Sequence, residues 1–300
     1  MKRDFLTLSD LSLDEHRALL ARAKALKTAR HARRHETTLT GLTLGLLFEK
    51  PSTRTRVSFE AAMFQLGGAA LALPLQDSQL KRGETIEDTA RVLSRYCDGL
   101  VFRTFGDDRL SAFARAATVP VINGLSEGAH PVQLLADLMT VEEHFGDLRG
   151  RRIAFIGDGS SNMARSWMEA AGIFELSLAI ASPEEYRARP PPMAGSARVE
   201  IVSDRFAAAN GAEVLCTDVW TSMGDEADAQ RRRQLLGGFG IDAAVVALSD
   251  PKSIVLHCLP AHRGEEISAE VMDGPRSAVF DEAENRLHVQ KALLEKLLLD

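Results

Sequence analysis

Short apolar runs alternate along this chain with longer stretches in which apolar residues recur every three or four positions. Residues 42–48, 69–73, 99–102 and 119–122 are brief apolar runs bounded by Gly, Pro or polar residues, a pattern that predicts buried strands. Between them, residues 57–66 and 86–96 space their apolar positions for helices, and another helix is expected before Val119. Ser9-Asp10-Leu11-Ser12-Leu13-Asp14-Glu15 offers caps and an acidic first turn for a surface helix running to about His35, with its basic residues as a solvated face. Gly67-Gly68 ends the helix before the second strand, and the fourth strand is expected to stop at Asn123-Gly124.

A long helical segment from His130 to about Phe145 separates this series from a second one, with strands expected over 151–156, 176–179, 198–202, 214–217 and 254–256. Pro190-Pro191-Pro192 marks an irregular connection, and the amphipathic stretch 288–298 predicts a closing helix. Strand and helix in regular alternation predict an α/β fold with two similar-sized domains, each a central, mostly parallel sheet flanked by helices. A length of 300 residues suits two domains.

Composition narrows the function. A hydrophobic fraction of 45% is that of an ordinary globular chain, and a net charge of -6 argues against a general nucleic-acid surface. No apolar run approaches a membrane span and Met1-Lys2-Arg3-Asp4-Phe5 opens no leader-like stretch, so a cytoplasmic protein with no membrane partner is expected. Cys97, Cys216 and Cys258 match neither a disulfide framework nor a metal-binding pair.

The chemistry gathers where strands end. Glu49-Lys50-Pro51-Ser52-Thr53-Arg54-Thr55-Arg56 lies between an apolar run and a helical pattern. It serves equally as a Ser/Thr cap followed by surface arginines and as a helix-start anion site with hydroxyl and guanidinium donors. Arg103 and the segment after Ile122 hold the same position in the order, and ligands of parallel sheets collect at that edge, which favours the anion site. Gly157-Asp158-Gly159-Ser160-Ser161-Asn162 is a Gly-rich turn without the dinucleotide spacing, so no nucleotide cofactor is expected. Arg54, Arg103, His130 and Arg286 supply donors, whereas Asp218, Asp158 and Asn162 supply acceptors for an amine. This pairing suits transfer of a group from an anionic donor to an amine, with phosphate as leaving group and no covalent enzyme intermediate. His257-Cys258 is read as a core histidine and a buried thiol rather than a metal pair or a nucleophile.

Taken in order, these motifs resemble the aspartate/ornithine carbamoyltransferase family over nearly the whole chain. They are Ser52-Thr53-Arg54-Thr55-Arg56, His130-Pro131-Val132-Gln133, Asp218 through Ser222-Met223-Gly224, His257-Cys258-Leu259-Pro260 and Phe280 to Arg286. The third and fourth are of the ornithine type. The resemblance implies a carbamoyl-phosphate domain over 1–135, rejoined by a returning helix over 284–300, and an ornithine domain over 136–283. It implies transfer of the carbamoyl group from carbamoyl phosphate to the δ-amine of L-ornithine, without metal or cofactor, in a homotrimer or multiple of trimers. Ser52, Thr53, Arg54, Thr55, Arg103, His130, Gln133, Cys258, Leu259 and Arg286 would hold carbamoyl phosphate, with Arg54, Arg103, His130 and Cys258 at the chemistry. Asn162, Asp218, Ser222 and Met223 would bind ornithine, and a neighbouring subunit's stretch Gln79 to Arg82 would approach the phosphate. Ser161 stands where the family usually has the first of two asparagines, which bears on ornithine affinity. A related amine such as putrescine or an acylated ornithine, or carbamoyl-phosphate binding without catalysis, are the competing outcomes.

Overall fold

The computed structural model describes residues 2–74, 83–190, 198–221 and 228–299. The first series comprises α1 (Leu13–His31), β1 (Thr43–Phe48), α2 (Thr53–Gln65), β2 (Ala69–Pro74), α3 (Ile86–Leu93), β3 (Gly99–Arg103), α4 (Asp107–Ala116), β4 (Val121–Leu125) and α5 (Pro131–Phe145). The second comprises β5 (Arg152–Ile156), α6 (Asn162–Phe174), β6 (Ser177–Ala181), β7 (Arg198–Val202), α7 (Arg205–Ala209), β8 (Val214–Thr217), α8 (Ala229–Leu236), α9 (Ala243–Leu248), β9 (Ile254–His257), α10 (Ala269–Met272) and α11 (Val279–Leu299). The chain divides into one compact unit of Met1–Ala136 with Asn285–Asp300 and another of Asp137–Glu284. Both are α/β units built on parallel sheets.

In the first unit the sheet order is β2-β1-β3-β4, with every pairing parallel. Leu47, Leu100, Phe102, Phe113 and Val121 lie in the core on one side of it. Apolar strands covered on both faces bury all five residues of β3, down to Arg103 at its end. After β1 the chain turns to one side of the sheet and after β3 to the other, so the C-terminal ends of these neighbouring strands form a topological switch point.

Three of the boundaries that differ from expectation have a local physical cause. The helix α1 begins in a reciprocal cap, with Ser12 Oγ accepting from the Glu15 N–H (3.3 Å) and Glu15 accepting from the Ser12 N–H (2.9 Å), but it ends at His31. Arg33 turns to φ 55° and the Arg34 N–H returns to the Ala29 carbonyl at 2.8 Å. The polar residues beyond His31 have no apolar side chain to hold a further turn down. The strand β4 continues through Asn123-Gly124 because the buried Asn123 amide is satisfied inside the unit, donating to the Leu6 carbonyl at 2.9 Å and accepting from the Leu125 N–H at 3.0 Å. The final helix starts at Val279 rather than near His288. An apolar repeat cannot reveal its first turns, because beyond Val279 the residues they bury are polar: Glu282, Asn285 and Arg286.

The second unit carries the order β7-β6-β5-β8-β9, again all parallel. Ile156, Leu215, Ile241, Val245, Val255 and Met272 share its core. The short helices α7, α8, α9 and α10 give too few turns for a periodic signal and were not expected from the sequence. The switch point here lies between β5 and β8.

Candidate active site

At the switch point of the first unit, Ser52 is the N-cap of α2 and its Oγ accepts the Thr55 N–H at 3.3 Å. The capping role expected of this stretch is therefore present. It leaves Thr53 and Arg54 exposed in the first turn, where the positive end of the helix dipole favours an anion. Thr55 points inward and is buried, and its Oγ1 accepts from Arg286 Nη2 at 2.8 Å. Arg286 reaches this point from α11 and donates through Nη1 to Gln133 Oε1 on the first turn of α5. Arg103, at the end of β3, and His130, just before α5, are buried beside them. The structure thus gathers Arg54, Arg103 and Arg286 around His130 within one unit. Arg56 instead lies near Glu60 (3.9 Å) on the exposed side of α2, as a surface arginine.

Burial, followed by the guanidinium charges of Arg286, Arg103 and Arg54, pushes His130 well below the ordinary imidazole value of 6.5. His130 is a neutral hydrogen-bonding group near pH 7. A depressed histidine is uncharged in the folded chain while its unfolded counterpart takes up a proton, so the folded state is disfavoured as pH falls below about 6.5. Thermal melts from pH 8 to pH 5 should show wild type losing stability across this window, with a shallower loss in His130→Gln. Parallel curves would contradict this account of His130.

In the second unit, Asn162 opens α6, Asp218 follows β8, and Cys258 and Leu259 follow β9. Cys258 Sγ donates to Asp218 Oδ1 at 3.0 Å, and the Val219 N–H reaches the same oxygen at 2.8 Å. Burial first, then the Asp218 carboxylate, push the Cys258 thiol well above its usual value. A protonated thiol is a poor nucleophile. Ser222 and Met223, like Gln79 to Arg82, lie outside the described residues.

His257 is buried and accepts the Leu259 N–H on Nδ1 at 2.9 Å, so its proton sits on Nε2, facing Glu266 Oε1 at 3.1 Å. Its own backbone N–H donates to Glu282 Oε2 at 2.8 Å. These contacts hold the turn in which Leu259 adopts φ 60° before a cis bond to Pro260. Asp218, His257 and Cys258 bring ligand-type atoms within 4.8 Å of one another. Both His257 nitrogens and the thiol proton are already engaged, so a metal would have to break these bonds.

Sequence reasoning missed Glu266 and Glu282, the carboxylates that orient His257. Glu282 stood inside the motif Phe280 to Arg286, but nothing in the spacing of Glu266 marked it. Asp158, expected as a candidate acceptor, is taken up by the Ser160 N–H (2.8 Å), the Ser160 hydroxyl (2.6 Å) and the Arg232 guanidinium. The glycines of that turn serve local packing. Gly157 has φ 141°, and a Cβ on Gly159 would sit 2.9 Å from the Ala188 nitrogen and 3.0 Å from the Tyr186 carbonyl. Ser161 caps α6 by accepting the Ala164 N–H at 3.2 Å, a role in which serine and asparagine are equivalent.

Two family models match the chain: "Aspartate/ornithine carbamoyltransferase, carbamoyl-P binding domain" over residues 3–143 and "Aspartate/ornithine carbamoyltransferase, Asp/Orn binding domain" over residues 149–297. The chain is 52% identical over 298 residues to the ornithine carbamoyltransferase of Halorhodospira halophila, covering 99% of each. It is 49% identical to that of Methanoculleus marisnigri, covering 99% of this chain and 97% of the relative. Among solved structures, the ornithine carbamoyltransferase from Pyrococcus furiosus superposes with a TM-score of 0.94 at 44% identity, covering 99% of this chain and 97% of that one.

Proposed function

The chain belongs to the aspartate/ornithine carbamoyltransferase family, and from that membership we infer that it transfers the carbamoyl group of carbamoyl phosphate to the δ-amine of L-ornithine, giving L-citrulline and phosphate. Relatives of this name at about half identity span its full length. The structural observation that carries the donor half is Arg286 joining Thr55 to Gln133 by hydrogen bonds, with Arg103 and His130 buried in the same unit. Ser52, Thr53, Arg54 and Thr55 take the phosphate oxygens, and Arg103 bridges phosphate and carbamoyl oxygen. His130, Gln133 and Arg286 orient the carbamoyl group. Positive groups aimed at the oxygens where charge develops stabilise both the tetrahedral centre and the departing phosphate.

On the acceptor side, Asn162, Asp218, Ser222 and Met223 hold ornithine. Asp218 meets the α-ammonium and leaves the δ-amine free. The backbone of Cys258 and Leu259 places the attacking amine and the carbonyl. The amine attacks as the neutral base, its nitrogen bonds to the carbonyl carbon, and the carbon–oxygen bond to phosphate breaks. The δ-nitrogen, positively charged once bonded to the carbonyl carbon, gives up one proton to phosphate or solvent. The raised Cys258 thiol is consistent with direct transfer, since no thiolate is needed.

Residues 1–135 with 284–300 form the carbamoyl-phosphate domain in this reading, and 136–283 the ornithine domain. Assembly as a homotrimer or a multiple of trimers is supported by Val57 and Phe64, seven positions apart on the exposed side of α2 and 48% and 82% accessible, with Leu71 of β2 at 47%. Among the described residues no helix is long and apolar enough to cross a membrane, and the working site proposed is the cytoplasm, in citrulline formation for arginine biosynthesis. Purified protein given carbamoyl phosphate and a panel of ornithine, putrescine, acetylornithine and succinylornithine should form product with ornithine by a wide margin. Preference for another amine, or carbamoyl-phosphate binding with no turnover, would refute it.

A further inference from the structure

The connections that carry the anion-binding residues are stitched together by the first turn of α4. Arg109 grips Glu49 through Nε (2.9 Å to Oε1, 3.0 Å to Oε2) and Nη2 (2.6 Å to Oε1), and the Thr104 hydroxyl donates to Glu49 Oε2. Glu49 also donates its backbone N–H to the Arg103 carbonyl at 2.9 Å. On the same turn, Asp107 Oδ1 accepts the Gly128 N–H at 3.0 Å, two residues before His130. The Glu127 N–H reaches the Phe105 carbonyl at 3.0 Å alongside it. The ends of β1, β3 and β4 are thereby tied to one short segment.

We propose that Arg109 is a positioning residue for the anion site, acting through Glu49 on the connection that delivers Ser52, Thr53 and Arg54, with Asp107 fixing the approach to His130. The proposal rests on the functional reading above for its kinetic consequences, but not for its binding test. Glu49 stands three residues before Ser52, and its side chain is 5% accessible whereas that of Arg109 is 41% accessible. A surface ion pair is worth little, but here one partner is buried, so loss of Arg109 removes the fork that satisfies a desolvated carboxylate. The carboxylate must then turn towards water, and it takes the start of α2 with it. It also leaves a net negative charge near a site that must receive an anion. Lysine restores the charge as a single point donor without the planar fork.

Inorganic phosphate titrated into the intact protein by calorimetry tests this without requiring turnover. Arg109→Ala should weaken phosphate binding and raise KM for carbamoyl phosphate by about tenfold or more, since small misplacements of binding groups carry losses up to about 10²-fold. KM for ornithine should stay within about twofold of wild type if the effect is confined to the donor half. Arg109→Lys should fall between, and Thr104→Val, which removes one hydroxyl donor and no charge, should move phosphate binding in the same direction by a smaller factor. If Arg109→Ala lowers the melting temperature while phosphate affinity stays at the wild-type value, the residue is structural and the proposal fails. Should that variant not fold, unchanged phosphate affinity in both Arg109→Lys and Thr104→Val refutes it equally. Wild type that binds phosphate but makes no citrulline would refute the functional reading and leave this one standing. Wild type that binds no phosphate overturns both.

Discussion

Replacing Arg103 with alanine lowers kcat/KM for carbamoyl phosphate by about 10²–10³-fold, the usual cost of removing one preorganised donor from an oxyanion-stabilising set. Arg103 closes a buried strand and is itself 8% accessible, so its guanidinium sits in a drier setting than Arg54 in the exposed first turn of α2. Charge there acts at a lower effective dielectric than at the surface. In the proposed mechanism Arg103 is the group shared between phosphate and carbamoyl oxygen, so its loss should lower kcat as well as raise KM. Arg56→Ala is the control. Arg56 lies on the solvent side of α2 near Glu60 and should leave both constants near wild type. Steady-state kinetics with carbamoyl phosphate varied at saturating ornithine separate these outcomes. Equal activity in Arg103→Ala and wild type would remove Arg103 from the site.

The second large effect belongs to Asp218. Asp218→Asn keeps an oxygen able to accept from the Val219 N–H and the Cys258 thiol but loses the charge that would meet the ornithine α-ammonium. Truncating one member of a hydrogen-bonded charge pair costs about 2–5 kcal/mol, so KM for ornithine should rise about a hundredfold. KM for carbamoyl phosphate should change little. A thiol measurement gives an independent check. Burial is the largest cause of the raised Cys258 thiol and the Asp218 charge the next, so the variant's thiol should ionise at lower pH than wild type while staying above the ordinary value of 9.0. Alkylation rate against pH should therefore shift in the acid direction. An unshifted profile would mean that Asp218 does not govern this thiol.

The proposed role of Arg286 makes a related point about where signals lie in a chain. In sequence it stands in a polar stretch far from Ser52-Thr53-Arg54-Thr55, as one candidate donor whose partners the spacing does not name. In the structure it bonds Thr55 and Gln133 directly. Its burial explains why the amphipathic pattern shows only from His288: after the buried Val279, the side chains turned inward are those of Glu282, Asn285 and Arg286, which leave no hydrophobic period.

What the sequence determined by itself was the alternation of buried strands and helices, the parallel α/β class, and the ordered motifs that mark the family. These are local or additive properties. An apolar run between turn residues specifies a buried strand wherever it is, and the family motifs are short contiguous patterns. The bounds of the strand Val214–Thr217, buried throughout, were legible to the residue for that reason. Tertiary structure alone decided the rest. It showed that Ser52 caps α2, that Asp158 is used up by Ser160 and Arg232, and that His257 is oriented by Glu266 and Glu282. It also joined Glu49 to Arg109, 60 residues on. Partnership between polar groups depends on distance and desolvation after folding, and neither leaves a period in the sequence.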